Sequence, residues 1–97
     1  METTIKLTQP IKVHDEEMHE LTLREPTSKD SEELGYPYEL VPLGGSKGEM
    51  ALRVRPDIIL QYGARLANIP PPAIKQLRLS DLMTLTSIIM GFFGQSE

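Results

Sequence analysis

The chain has 97 residues, with 14 Asp or Glu against 10 Lys or Arg, 39% apolar residues and no cysteine. That length suits one domain, the apolar share is too high for a wholly disordered chain, and the missing cysteines exclude disulfides, thiol chemistry and thiolate metal sites. The formal charge of −4 is uneven: residues 1–50 carry eleven acids against five Lys or Arg, and residues 51–97 carry three against five, with no basic run that could neutralise a phosphate track.

The opening METTIKLTQP lacks the apolar core of a signal peptide. Residues 3–9 alternate, with Ile5 and Leu7 on one side and Lys6 and Thr8 on the other, and residues 18–24 alternate around Leu21 and Leu23. The polar His14-Asp15-Glu16-Glu17 lies between them, so residues 3–24 read as a β-hairpin. Ile11 and Val13 extend the first strand past Pro10, which places that proline at an edge or bulge. A hairpin alone is marginal in water and needs cover on its apolar side.

Thr27 and Asp30 have the spacing of a capping box, which predicts a short helix over 27–35, stopped by Gly35 and Pro37. Residues 36–49, with two prolines and three glycines, read as a flexible loop with room for a short strand at 38–41. Gly44, Gly45, Lys47 and Gly48 lack the order of a phosphate-binding loop. A helical module is expected over 50–93. Met50, Leu52 and Val54 are read as its start, Pro56 as a break, and Ile58, Ile59, Tyr62, Leu66 and Ile69 as the stripe of a longer helix. Gly63 and Ala64 permit close helix approach, and Pro70-Pro71-Pro72 ends the rod. Pro72 is placed to open a short helix carrying Ala73, Ile74 and Leu77. Ser80 is read as the cap of a last helix over 80–93, with Asp81 at its positive end. The fold class is therefore α+β: an N-terminal hairpin followed by three or four short helices in one domain spanning 1–97.

That last segment, SDLMTLTSIIMGFF, holds eight large apolar side chains and a single charge. Leu82, Leu85, Ile89 and Phe92 form one stripe, and Met83, Met90 and Phe93 lie partly off it. Either the domain's own core takes them or another chain does; a small domain has little core to offer. The candidate partner-binding set is Leu82, Met83, Leu85, Ile89, Met90, Phe92 and Phe93, with the two phenylalanines as anchors.

Groups for chemistry are sparse. His14 and His19 sit among Asp15, Glu16, Glu17 and Glu20 without the spacing of a zinc motif, and reading them as a solvated acidic turn needs no metal. The serines have no histidine at a recognisable spacing. Arg24 and Arg65 are expected to pair with acids or to cover apolar surface. No cofactor, metal or catalytic residue is expected, no nucleic-acid partner, and no membrane span, since residues 79–96 are broken by Asp81 and several small polar residues.

The order of TIKLTQPI, LTLREPT leading into a short acidic helix, LANIPPPAIKQL and LSDLMTLTSIIMGFFG resembles the tail assembly chaperones of tailed bacteriophages, of the contractile-tailed Mu-like and P2-like kind. The resemblance covers most of the chain and is weakest over 36–49; the GGSKGE loop and the three consecutive prolines depart from the pattern. It implies a non-enzymatic protein that binds the long tape measure protein and keeps it soluble during tail tube assembly. It implies action in the host cytoplasm and absence from the finished virion. It further implies that this chain corresponds to a short form accompanied by a longer frameshifted version that helps recruit tube subunits. The family's apolar C-terminal helix maps onto Leu82, Leu85, Ile89, Phe92 and Phe93, and its Arg-Glu-Pro-Thr step onto Arg24 to Thr27. The rival readings are a small structural tail protein or homo-oligomer pairing through the edge of the 3–24 hairpin, a DNA-binding regulator, for which helix 80–93 lacks the polar side chains, and an enzyme subunit with a polar pocket at His14 or His19.

Overall fold

A computed structural model describes residues 2–45 and 47–94. Ser46 of the glycine-rich loop and the last three residues, Glu97 among them, lie outside the described residues. The architecture is α+β: an N-terminal β-hairpin, a short helix, a second hairpin and three further helices, the last of them C-terminal.

Strands β1 (Thr3–Val13) and β2 (Glu16–Leu23) pair antiparallel, with Ile5 opposite Leu21 and Ile11 opposite Met18. His14 and Asp15 both take positive φ, the backbone that a two-residue hairpin turn between right-twisted strands demands. The register shifts between Lys6 and Ile11, where Pro10 interrupts the ladder, as the sequence requires of a proline inside a strand. Ile5, Ile11, Leu21 and Leu23 bury the inner face, while Lys6 opposite Glu20 and Lys12 opposite Glu17 occupy the outer one.

Helix α1 (Ser28–Leu34) opens on the predicted capping box: the Thr27 hydroxyl accepts from the Asp30 N–H, and the Asp30 carboxylate accepts from the Thr27 N–H. Helix α2 (Pro56–Ala67) starts on Pro56, whose missing N–H costs nothing there. It ends at a left-handed Asn68, two residues before the prolines expected to stop it. Helix α3 is a single turn (Pro71–Ile74), opening one proline earlier than expected. Helix α4 spans Leu79–Phe92.

The core lies between the β1–β2 ribbon and helices α2, α3 and α4. Tyr62, Ile59, Leu85 and Ile89 are fully buried there. Gly63 permits the close approach of α2 to its neighbours: a Cβ at that position would stand 2.7 Å from Leu85 Cδ2 and 3.3 Å from Ile74. The outer edge of β1 is closed by side chains. Gln76 accepts from the Lys12 N–H at 2.9 Å and donates to the Lys12 carbonyl at 2.8 Å, and buried Asp81 accepts from the Thr8 N–H and hydroxyl, each at 3.0 Å. Asp81 thus ties α4 to the bulge, and Ser80, read as a helix cap, does not cap: the cap position is Arg78, without a side-chain bond.

One segment corrects the sequence reading: Met50–Val54 is a strand, β4, where a helix start was expected, and it pairs antiparallel with β3 (Tyr38–Pro42), the short strand for which the reading of 38–41 left room. The helical module therefore begins at Pro56. Met50, Leu52 and Val54 recur every second residue, a strand period, and the Pro56 ring disfavours helical backbone at the residue before it.

Candidate functional site: an uncovered β-ribbon

The cross-strand register of the second hairpin sorts its side chains. Tyr38 faces Val54, Leu40 faces Leu52 and Pro42 faces Met50, which puts six apolar side chains on one face. Glu39 faces Arg53 and Val41 faces Ala51 on the other. Backbone bonds from Arg55 N–H to the Pro37 carbonyl at 2.8 Å and from Leu43 N–H to the Glu49 carbonyl at 3.0 Å close its two ends. Beyond pairing with each other, β3 and β4 lie against no other element among the described residues. Only Tyr38 and Val54, at the root, pack against the core. The ribbon is an arm, and Leu40 (61% exposed), Met50, Leu52 and Leu43 stand in water along it.

An aromatic cluster holds the root. The Phe93 ring meets Tyr62 edge-on at 5.4 Å, Tyr36 at 5.9 Å and Tyr38 at 6.2 Å, and Tyr36 stacks on Tyr38. The Tyr62 hydroxyl donates to the Gly35 carbonyl, and burial pushes the phenol's pKa up. The last turn of α4 is thereby joined to the start of the arm.

The seven residues singled out in the sequence divide by burial. Leu85, Ile89 and Met90 are buried in the chain's own core, and Leu82, Phe92 and Phe93 are half-buried against it. Met83 is exposed, and Leu79 joins it one turn earlier. The exposed apolar surface of the arm was missed because residues 36–49 were read through their glycines and prolines. The signal was present: Tyr38, Leu40 and Pro42, then Met50, Leu52 and Val54, two alternating runs flanking a glycine-rich turn.

Charged groups elsewhere build structure. Asp30 is buried and accepts from Arg24 at 2.8 and 3.1 Å and from Arg65 at 3.4 Å, and Arg65 also pairs with Glu33. The Arg24 guanidinium, with the Thr27 N–H, holds the Asp30 carboxyl well below the usual carboxylate range. The two arginines and Lys29 line an open groove of about 890 Å³. On the arm, Arg53 pairs with Glu39 at 3.5 Å, and Arg55 with Asp57 at 3.2 Å. His14 borders an open cleft of about 360 Å³ with Glu16, Glu17, Met18 and Asn68, and no serine, threonine or lysine lines it. Among the described residues, no three His, Cys, Asp or Glu side chains gather as metal ligands, and no helix is long and apolar enough to cross a membrane.

Apolar side chains gathered on one uncovered face are a common mark of an interaction surface. The family described as phage tail assembly chaperone proteins, E, or 41 or 14, matches residues 4–94. The chain belongs to that family of phage tail assembly chaperones, which points to a non-enzymatic role. No curated protein and no solved structure matches it significantly.

Proposed function

We propose that this protein is a non-enzymatic holding chaperone of a contractile-tailed phage, which binds the tape measure protein through apolar surface and keeps it soluble while the tail tube assembles. The observation that carries the reading is the family match over residues 4–94. The exposed apolar side chains of the arm, with Leu79 and Met83 on α4, supply the physical means. Holding requires weak, adaptable apolar contact and no chemistry, and methionine side chains suit an irregular partner. Action in the host cytoplasm and absence from the mature virion belong to the same reading, as does recruitment of tube subunits through a longer frameshifted form.

The test is co-expression with the tape measure protein of the same phage. Fractionation should find the tape measure protein soluble and co-purifying with the chaperone, and insoluble when expressed alone. A tape measure protein equally insoluble in both cases overturns the reading. Recovery of this chain from purified particles favours a structural tail component instead.

A further inference from the structure

The fold contains two antiparallel ribbons and covers only one. The inner face of β1–β2 lies under α2, α3 and α4 of the same chain, whereas the Leu40, Pro42, Met50 and Leu52 face of β3–β4 has no helix over it. We propose that the arm is a docking site for one α-helix of another protein, which lies lengthwise on this face and completes the layering that the first ribbon achieves internally. The proposal rests on the holding reading above and names the surface and the shape of what is held.

Size, area and charge select this occupant. Five-residue strands span about 17 Å, the length of about three helical turns, and a helix is about as wide as two paired strands with their side chains. A strand added at either edge would lengthen the sheet and leave the apolar face wet. A second copy stacked face to face would bury only a few hundred Å² on each side, roughly half of the ~800 Å² per partner of a stable interface. A long helix meets the same small area at each arm yet can collect several arms along its length, so that weak contacts add. Charges beside the ribbon balance, with Lys47, Arg53 and Arg55 against Glu39, Glu49 and Asp57, so the face selects apolar contact over net charge.

The experiment titrates the full-length protein, labelled with nitrogen-15, with a synthetic amphipathic peptide of about 14 residues, leucine on one face and glutamine on the other. The control peptide has the same composition except for two central prolines. The helical peptide should shift the amides of Leu40, Met50 and Leu52, and the proline peptide should not. L40T/L52T keeps strand-forming residues on the ribbon, which cross-strand Hα contacts verify, and should weaken binding roughly tenfold or more. Glu32→Gln, at an exposed position of α1, should bind as the native chain does, and raising salt from about 50 to 500 mM should leave the affinity within about threefold. Equal binding of the proline peptide, shifts confined to α4, or arm shifts on concentrating the protein without peptide would each overturn the proposal, the last in favour of a second copy. Co-expression separates this from the wider reading. If L40T/L52T keeps the tape measure protein soluble as well as the native chain does, the arm assignment falls and holding stands. If the native chain fails there, the holding reading falls whatever the peptide does.

Discussion

Asp30 joins three parts of the chain through one buried carboxylate: the end of β2 through Arg24, the start of α1 through Thr27, and α2 through Arg65. Half of this was legible, since Thr27 and Asp30 stand three residues apart and spell a capping box. The arginines were expected to find acids, but which acid depends on α2 folding back across 35 residues of chain. The pairing carries a pH dependence. The native carboxylate holds its proton more weakly than the unfolded chain does, so its stabilisation is complete above the ordinary carboxylate pKa of about 3.9 and is lost progressively as pH falls below it. Asp30→Asn should lower unfolding free energy at pH 7 by about 1–2 kcal/mol, a modest figure because Arg24 is nearly half exposed, and should flatten the acid side of the stability curve. Urea unfolding between pH 7 and pH 3 measures both; native and variant curves that run parallel into acid would contradict the assignment.

Among the elements, those whose hydrophobic period coincides with their burial were readable: the first hairpin, the body of α2 and the stripe of α4. Gly63 was readable as a point of close helix approach for the same reason. The period of α4 also shows why Leu85 and Ile89 of its candidate contact set lie in the core, because a stripe spaced by three and four is what a two-layer domain buries first. The pairing of the second hairpin escaped because its strands are short, separated by seven residues, and stabilised beyond their root by little except each other. Its amides should accordingly exchange with solvent far faster than those of β1 and β2 in native-state hydrogen exchange. Phe93→Ala removes the ring that Tyr36, Tyr38 and Tyr62 share. It should speed exchange in residues 38–42 and 50–54 further while leaving that of β1–β2 nearly unchanged. Uniform acceleration across both ribbons would show that Phe93 supports the whole core and not the root of the arm.

The whole molecule is elongated. The Cα radius of gyration is 14.7 Å, against about 12.5 Å for a compact chain of this length, and the long axis reaches 54 Å against 27 and 23 Å for the others. Small-angle scattering of the monomer should return a maximum dimension above 50 Å; a near-spherical particle would mean that the arm folds back onto the body. Length, composition and the resemblance of the sequence were enough to place the chain in its family. The projecting shape was not readable, because shape depends on which apolar face finds cover, a property of the assembled layers that no local run of residues encodes.

The pairing of Gln76 with both backbone groups of Lys12, beside the Asp81 clamp on Thr8, occupies edge groups of β1 that an added strand would otherwise take, which counters fibril growth at those positions. An amide side chain there imitates the strand that would otherwise be recruited. Gln76→Ala would unmask that edge.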